Sequence, residues 1–210
     1  MPSKHLVIGS SPIESMIIFY LLLFFMNNIN FEHYLLLSVP KLLFSIRKNN
    51  NFLFLRTHKL YAVMIAYFLY KDLNSQFKSL IDFTCVDYSL KKKRFNLVYH
   101  IISIFYHFRV FFKFFIMELE SMYSLVYIYP NISWYERECW DFFGVFFINN
   151  VNLRRILLDY GFVGHPLRKD FPLTGFVELV YSVFYFSVVQ KKVNLSQSFR
   201  KYETTSAWLI

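Results

Sequence analysis

The residues able to do chemistry gather between Trp134 and Gly175. Glu136, Glu138, Asp141, Asp159 and Asp170 are matched there by Arg137, Arg154, Arg155, Arg168 and Lys169, with one histidine, His165. Paired carboxylates suit general acid–base work only where a cleft raises one pKa. At i and i+2 of a helix, Glu136 and Glu138 do not converge. His165 as a general base or zinc ligand lacks a second His or Cys at ligand spacing. Arg154, Arg155, Arg168 and Lys169 suit a phosphate, but the equal number of acids favours partly buried Arg–carboxylate pairs instead. Such pairs either hold this domain together or cross to another subunit, and the residues alone leave both readings open.

Local signals say which elements position these groups. Pro130 and Asn131 break the preceding apolar run, and Ser133-Trp134-Tyr135-Glu136 matches a capping box. A helix of about three turns is predicted to follow, with Tyr135, Cys139, Phe142 and Phe143 on one face and Arg137, Glu138 and Asp141 on another. Arg137 is expected to pair with Asp141 one turn on, and Gly144 to end the helix. A second short helix is predicted from Asn152 to Gly161, burying Leu153, Ile156 and Leu157. From Gly164 to Pro172, two prolines and a glycine impose an irregular, stiff loop presenting His165, Arg168, Lys169 and Asp170, which loses little entropy on docking.

The rest of the chain supplies a scaffold. Ile13 to Met26 is apolar all round and reads as a buried helix; a further helical segment runs to Val39 and stops at Pro40. Arg47 to Asn51 reads as a polar turn, Phe52 to Leu55 as a short strand, and Thr57 as the cap of a helix from His58 to about Lys71. The period then becomes two: Ile81, Phe83 and Cys85 alternate with Asp82, Thr84 and Val86, and Phe95, Leu97, Tyr99 and Ile101 with Asn96, Val98, His100 and Ile102. In Phe108 to Ile116, Arg109 and Lys113 share a face with Phe111 and Phe115. These three strands make a meander. The predicted class is α+β: a small mixed sheet with helices packed on one side and an extended C-terminal arm. Phe176 to Val189 reads as a strand or arm; Leu195, Phe199 and Tyr202 recur at helical spacing. The expected divisions are an apolar helical extension over 1–50, the α+β domain over 51–175 and the arm over 176–210.

Composition narrows the function. Neither G-x-G-x-x-G nor a P-loop is present, so no nucleotide-binding motif is visible. Cys85 and Cys139 belong to no C-x-x-C and read as buried thiols; an iron–sulfur cluster held by this chain alone would need four ligands. Hydrophobic content is 56% and mean hydropathy +0.34, yet a spanning helix needs about 20 apolar residues. The longest runs, Met16 to Met26 and Leu60 to Tyr70, are shorter. Met16 to Met26 could serve as an interfacial anchor, but so much apolar surface points first to obligate partners. The net charge of +9 comes from outside the balanced stretch. Its one compact run, Lys91-Lys92-Lys93-Arg94, reads as a solvated hairpin loop ahead of a nucleic-acid site. The over-used Phe, Tyr, Ile, Asn and Lys have A/T-rich codons. No transit segment is evident, so if the protein works in mitochondria it is expected to be made there.

The stretch resembles the signature of the thirty-kilodalton (C-type, or subunit 9) subunit family of proton-pumping NADH:ubiquinone oxidoreductase, respiratory complex I. Trp134-Tyr135-Glu136-Arg137-Glu138, Trp140-Asp141, Phe143-Gly144, Leu153 to Gly161, and Gly164-His165-Pro166-Leu167-Arg168-Lys169-Asp170-Phe171-Pro172 carry the resemblance. Looser similarity extends through Asp87-Tyr88, Arg94-Phe95 and Ser198-Phe199-Arg200. Cys139, Phe142, Asn150-Val151 and Ala207 depart from the family pattern. The resemblance implies a subunit without a catalytic or metal site in the peripheral, matrix-facing arm at the mitochondrial inner membrane. It implies that FMN, iron–sulfur clusters and ubiquinone are carried by other subunits. The chain would brace the quinone-reducing module, chiefly its forty-nine-kilodalton subunit and neighbouring iron–sulfur subunits. Trp134, Arg137, Trp140, Asp159, Gly161, Pro166, Asp170 and Pro172 would then be structural or interface residues with the other charged positions. Membrane association would run mainly through the complex, without nucleic acid. The other reading is a basic RNA-binding protein of an organellar ribosome.

Overall fold

Period-two alternation over residues 79–116 builds the centre of the molecule. The computed structural model describes residues 31–49 and 52–200, with Ser206 and Trp208. The expected helix from Ile13 to Met26, and Tyr202 and Ala207, lie outside the described residues. Strands β3 (Ser79–Asp87), β4 (Phe95–Ser103) and β5 (Phe108–Ile116) form the expected meander. Strand β2 (Phe52–Thr57) lies parallel to β5, and β1 (Leu43–Asn49) antiparallel to β2, giving the mixed order β1-β2-β5-β4-β3. Arg47 and Asn49 were expected in a turn. They lie in β1 because from Ser45 onward that strand pairs in register with β2, Arg47 opposite Phe54 and Asn49 opposite Phe52.

One face of the sheet carries Leu55, Phe83, Leu97, Tyr99, Phe112 and Phe114 into the core. Helix α1 (Phe31–Ser38) adds Leu35, α2 (Ala62–Lys71) adds Ile65 and Leu69, and α3 (Ile132–Phe143) adds Ile132 and Cys139. Each fully buried side chain of this size contributes about 1.5–3 kcal/mol, so the helices lie on the face that carries them. The α+β class is the one predicted. Both cysteines are buried, free thiols.

Three local expectations fail for physical reasons. Thr57 caps nothing: it ends β2, buried, with its hydroxyl unpartnered. His58 takes the role, its Nδ1 accepting the Leu60 amide at 3.4 Å before a 3-10 turn, Lys59–Tyr61, leads into α2. In β3 the register slips between Leu80 and Asp82, so Leu80 turns inward and Ile81 outward, against the simple alternation. That bulge leaves two carbonyls for the start of α3: Asn131 Nδ2 donates to Leu80 O at 2.8 Å and Tyr135 Oη to Ile81 O at 3.1 Å. The capping box is not formed. Helix α3 begins at Ile132, no side chain caps it, and Glu136 is drawn to other partners.

Beyond α3, β7 (Phe147–Ile148) pairs parallel with β6 (Met122–Tyr123). The helix predicted over 152–161 is absent, and residues 149–176 contain no regular element. The arm folds back as a hairpin of β8 (Val177–Ser182) and β9 (Ser187–Lys192). Residues 193–200, expected at helical spacing, contain no helix.

Candidate functional site

Helix α3 buries charges as well as its apolar face: Glu136, Arg137 and Asp141 are inside with Ile132 and Cys139, while Trp134 is 64% exposed. Burying a charge is costly unless hydrogen bonds replace its water, and each of these groups has them. Glu136 accepts from Ser124 Oγ at 2.6 Å, the Leu125 amide at 3.0 Å and Asn150 Nδ2 at 2.8 Å. Burial still pushes its pKa up, against those three bonds. Arg137 does not pair with Asp141. Its Nε donates to the Arg154 carbonyl at 3.3 Å and its guanidinium lies over the Trp134 ring at 4.8 Å.

Asp141 explains why the second helix fails. One of its carboxylate oxygens accepts the amides of Ile156, Leu157 and Leu158 at 3.2, 2.9 and 3.0 Å. A helix over these residues would leave the same carboxylate, with no exposed side-chain surface, short of partners. The other oxygen meets Arg155 Nη1 at 2.8 Å. Burial opposes the charge of Asp141, but the Leu157 and Leu158 amides, Arg155 and the Ile156 amide outweigh it, and its pKa is lowered. Arg155 extends the contact by donating from Nη2 to Gly164 O at 2.9 Å, at the start of the irregular loop.

That loop is fastened to the C-terminal end of α3. His165 Nδ1 lies 3.0 Å from Asp141 O, the Leu167 amide donates to Phe142 O at 3.2 Å, and Arg168 Nε donates to Phe143 O at 2.6 Å. Orphan carbonyls of the last helical turn are thereby satisfied. Gly144, left-handed at φ +75°, ends the helix as predicted. Burial lowers the pKa of His165, opposed by the Asp141 carbonyl and reinforced by Arg168 and Arg155.

A second cluster ties the same loop to the sheet. Arg94 makes a bidentate contact with Asp87 at 2.8 and 2.9 Å, and reaches Asp170 at 2.7 Å and Glu118 at 3.2 Å. Glu118 also binds Arg168 at 2.8 Å, and Asp87 accepts the Lys169 amide at 2.8 Å. Residues 87, 94 and 118 were missing from the sequence-based site. Asp87 and Arg94 lie in the loosely similar flank, and Arg94 is the one arginine ending a lysine run, where a planar, bidentate cation is required. Glu118 carried no such signal.

Other predicted residues are placed elsewhere. Glu138, Arg154, Asp159 and Lys169 have exposed side chains, and Trp140 packs edge-on to His165 with centroids 5.8 Å apart. Pro166 and Pro172 are half-buried, as is Gly164; Gly161 is exposed, at φ +74°. Among the described residues, no group of three or more His, Cys, Asp or Glu side chains is arranged to hold a metal.

The paired acids make the clamp sensitive to acid. The Arg94 guanidinium holds Asp87 and Asp170 below the ordinary carboxylate range. A depressed folded-state pKa contributes stability that is complete above the unfolded value, about 4, and lost as pH falls through the folded value. Acid titration of unfolding should therefore lose stability below about pH 5, and Asp87→Asn should shallow that slope. Glu136 has the opposite sign: its raised pKa disfavours folding as pH rises through it.

The fold and this clamp define a class, an α+β domain in which ion pairs and loop amides lock an irregular loop onto a helix and a sheet edge. The family profile described as "Respiratory-chain NADH dehydrogenase, 30 Kd subunit" matches residues 55–177. The chain belongs to this thirty-kilodalton subunit family. It is 42% identical to NADH-ubiquinone oxidoreductase subunit 9 of Prototheca wickerhamii over 183 residues, which is 87% of this chain and 95% of the relative. It is 44% identical to NADH-ubiquinone oxidoreductase subunit 9 of Acanthamoeba castellanii over 162 residues, 76% of this chain and 80% of the relative. A chain in the structure of the membrane-bound sulfane sulfur reductase, an archaeal respiratory membrane complex, superposes with a TM-score of 0.61 at 25% identity, covering 70% of this chain and 86% of that one.

Proposed function

We propose that this chain is a structural subunit of proton-pumping NADH:ubiquinone oxidoreductase, without an active site of its own. It braces the quinone-reducing module in the peripheral, matrix-facing arm at the mitochondrial inner membrane, with the forty-nine-kilodalton subunit as chief partner. FMN, iron–sulfur clusters and ubiquinone reside on its neighbours. The observation that carries this reading is the engagement of the signature's buried charges. Glu136, Asp141, Arg155 and Arg168 are each bonded within the domain, which suits holding a shape better than exchanging protons. Family membership and the subunit names of the relatives support the same assembly. The hairpin adds apolar surface for a neighbour: Val177, Leu179, Tyr181, Phe184 and Phe186 are exposed. Beside it lies an open groove of about 670 Å³, lined by residues that include Tyr160, Phe162, Phe171 and Phe176.

Arg168 and Lys169 divide the labour. Arg168 is internal, spent on Glu118 and Phe143, whereas the Lys169 side chain is exposed and only its amide is bound. Lys169→Glu should leave the fold intact and lower the amount of assembled complex severalfold, with NADH:quinone turnover per assembled complex unchanged. Arg168→Glu should lower assembly further, because it also opposes Glu118. Native separation of detergent-solubilised membranes with in-gel activity checks both. Normal assembly with impaired turnover would sink the bracing role.

A further inference from the structure

The sheet has a second face, turned away from the helices, that the clamp does not use. Register places its side chains in rows across the strands. Arg47, Phe54, Phe111 and His100 form one, and Ser45, Arg56, Lys113 and Val98 the next. Arg109 lies beside Phe52. Residues directly opposite in a sheet share a face, so four cations stand among phenylalanines on one surface. An open depression of about 570 Å³ runs between Arg47, Arg56 and Lys113, lined also by Ser45, Phe54 and Phe115 among others.

The cations here differ from those of the ionic clamp. Among the described residues, Arg47, Arg56, Arg109 and Lys113 have no carboxylate at ion-pair distance, whereas Lys59, Arg94, Arg155 and Arg168 all do. Two of the four rest on rings instead: Lys113 Nζ lies 4.3 Å from the Phe54 centroid and the Arg56 guanidinium 4.6 Å from that of Phe115. The one carboxylate aligned with these rows is Asp82, opposite His100 on the edge strand β3.

Ring geometry decides what kind of anion fits. Phe54 and Phe111 stack at 5.1 Å and 17°, and Phe111 and His100 at 4.3 Å and 12°. The rings lie face to face across the strands, and Lys113 and Arg56 cover further faces. Single-stranded nucleic acid needs open ring faces on which bases stack, and the faces of Phe54 and Phe111 at the centre are taken up by these contacts. What remains outward is ring edge, the positive rim of the aromatic quadrupole, together with guanidinium and ammonium heads. Carboxylates flanked by apolar side chains complement such a surface, as in protein interfaces that centre on aromatics and arginine.

We infer that this outer sheet face docks an acidic polypeptide segment of a neighbouring subunit, with Arg47, Arg56, Arg109 and Lys113 around the stacked rings donating to its carboxylates. The inference rests on the assembly reading given above. With strands ~4.8 Å apart and ~3.3 Å per residue, the face measures about 19 by 20 Å, or about 400 Å². That is half the roughly 800 Å² per partner of a free-standing interface, so the contact serves within an assembly already held elsewhere.

Zero-length carbodiimide coupling of the assembled complex, followed by peptide mass spectrometry, tests this directly, because it joins a lysine only to a carboxylate it already touches. Lys59 and Glu120, 3.0 Å apart, supply an internal positive control. The expected result is a Lys113 link to an Asp or Glu of another polypeptide, within about threefold of the control yield. The Arg47→Glu/Arg109→Glu double variant should reduce that link at least tenfold. A control link without any Lys113 link overturns the inference, as does a Lys113 link only to a carboxylate of this same chain. Ultraviolet cross-linking of RNA to the β2 and β5 peptides in place of carboxylate links overturns it too. If the chain is absent from the NADH:quinone reductase particle, the assembly reading falls; if it is present with Lys113 unlinked, only the docking face falls.

Discussion

Replacing Asp141 by alanine should be the most damaging single change in the signature. Three amides and one guanidinium converge on a carboxylate whose side chain has no exposed surface. Removing one partner of a buried, hydrogen-bonded ion pair costs about 3–5 kcal/mol, because the other groups stay desolvated and unpaired. Arg155 retains some exposure and its bond to Gly164 O. The lower part of that range, about 3–4 kcal/mol, is therefore expected, which corresponds to a fall of about 10 °C in unfolding midpoint for a domain of this size. Asp141→Asn should cost less: an amide oxygen can still face the Ile156–Leu158 amides, but its NH2 then opposes Arg155. The Asp141→Ala/Arg155→Ala double variant should lose less than the sum of the two single changes, since removing the cation relieves its isolation. Thermal unfolding gives the totals, and hydrogen exchange at residues 156–158 gives the local effect. An Asp141→Ala protein with wild-type midpoint and protected amides there would contradict the role assigned to this carboxylate.

Substitution of Gly144 should come next, for a different reason. At φ +75° any side chain is strained by about 1–2 kcal/mol. A β-carbon at this position would also fall 2.5 Å from His165 Nε2 and 2.6 Å from Arg168 Nη2. Neither neighbour can easily retreat. His165 is held by the Asp141 carbonyl, and Arg168 by Phe143 and Glu118. Gly144→Ala should therefore cost about 2–4 kcal/mol and lift the loop from the helix. From about 2 kcal/mol upward the open population rises more than tenfold, so tryptic cleavage after Lys169 should accelerate by at least that factor. Gly161→Ala is the control. It has nearly the same φ, +74°, but nothing stands within 4 Å of its β-carbon. Only the conformational cost remains, about 1–2 kcal/mol, without faster cleavage at Lys169. Equal cleavage rates in the two variants would show that the close approach to His165 and Arg168 does not matter.

The two glycines show what a sequence can and cannot convey. Both were legible as breaks because glycine ends helices and permits left-handed backbone, a property of the residue itself. That Gly144 also admits an imidazole and a guanidinium against its α-carbon depends on residues more than twenty positions away. The same division runs through α3. Its length, its end and the packing of Tyr135, Cys139 and Phe143 were readable from local signals, but the burial of its charges was not. Hydrophobic periodicity assigns charged residues to solvent, and here Glu136 and Asp141 go inward because Ser124, Leu125, Asn150 and residues 155–158 supply donors from distant segments.

What the sequence determined by itself follows from period and residue type. The three-stranded meander, the α+β class, the irregular 164–172 loop and the family signature all rest on spacings within one segment. Tertiary structure alone decided the partners. The ionic clamp draws Asp87, Arg94 and Glu118 to Arg168, Lys169 and Asp170 across 50 to 82 residues of chain, and the Asp141 carboxylate holds open a loop that local periodicity reads as helix. The outer sheet face likewise exists only once β2 lies beside β5. Alternation along one strand shows which residues share a side, but not which strand comes next. Hydrogen bonds and ion pairs form between whatever the fold brings within about 3 Å, and no local spacing encodes that approach.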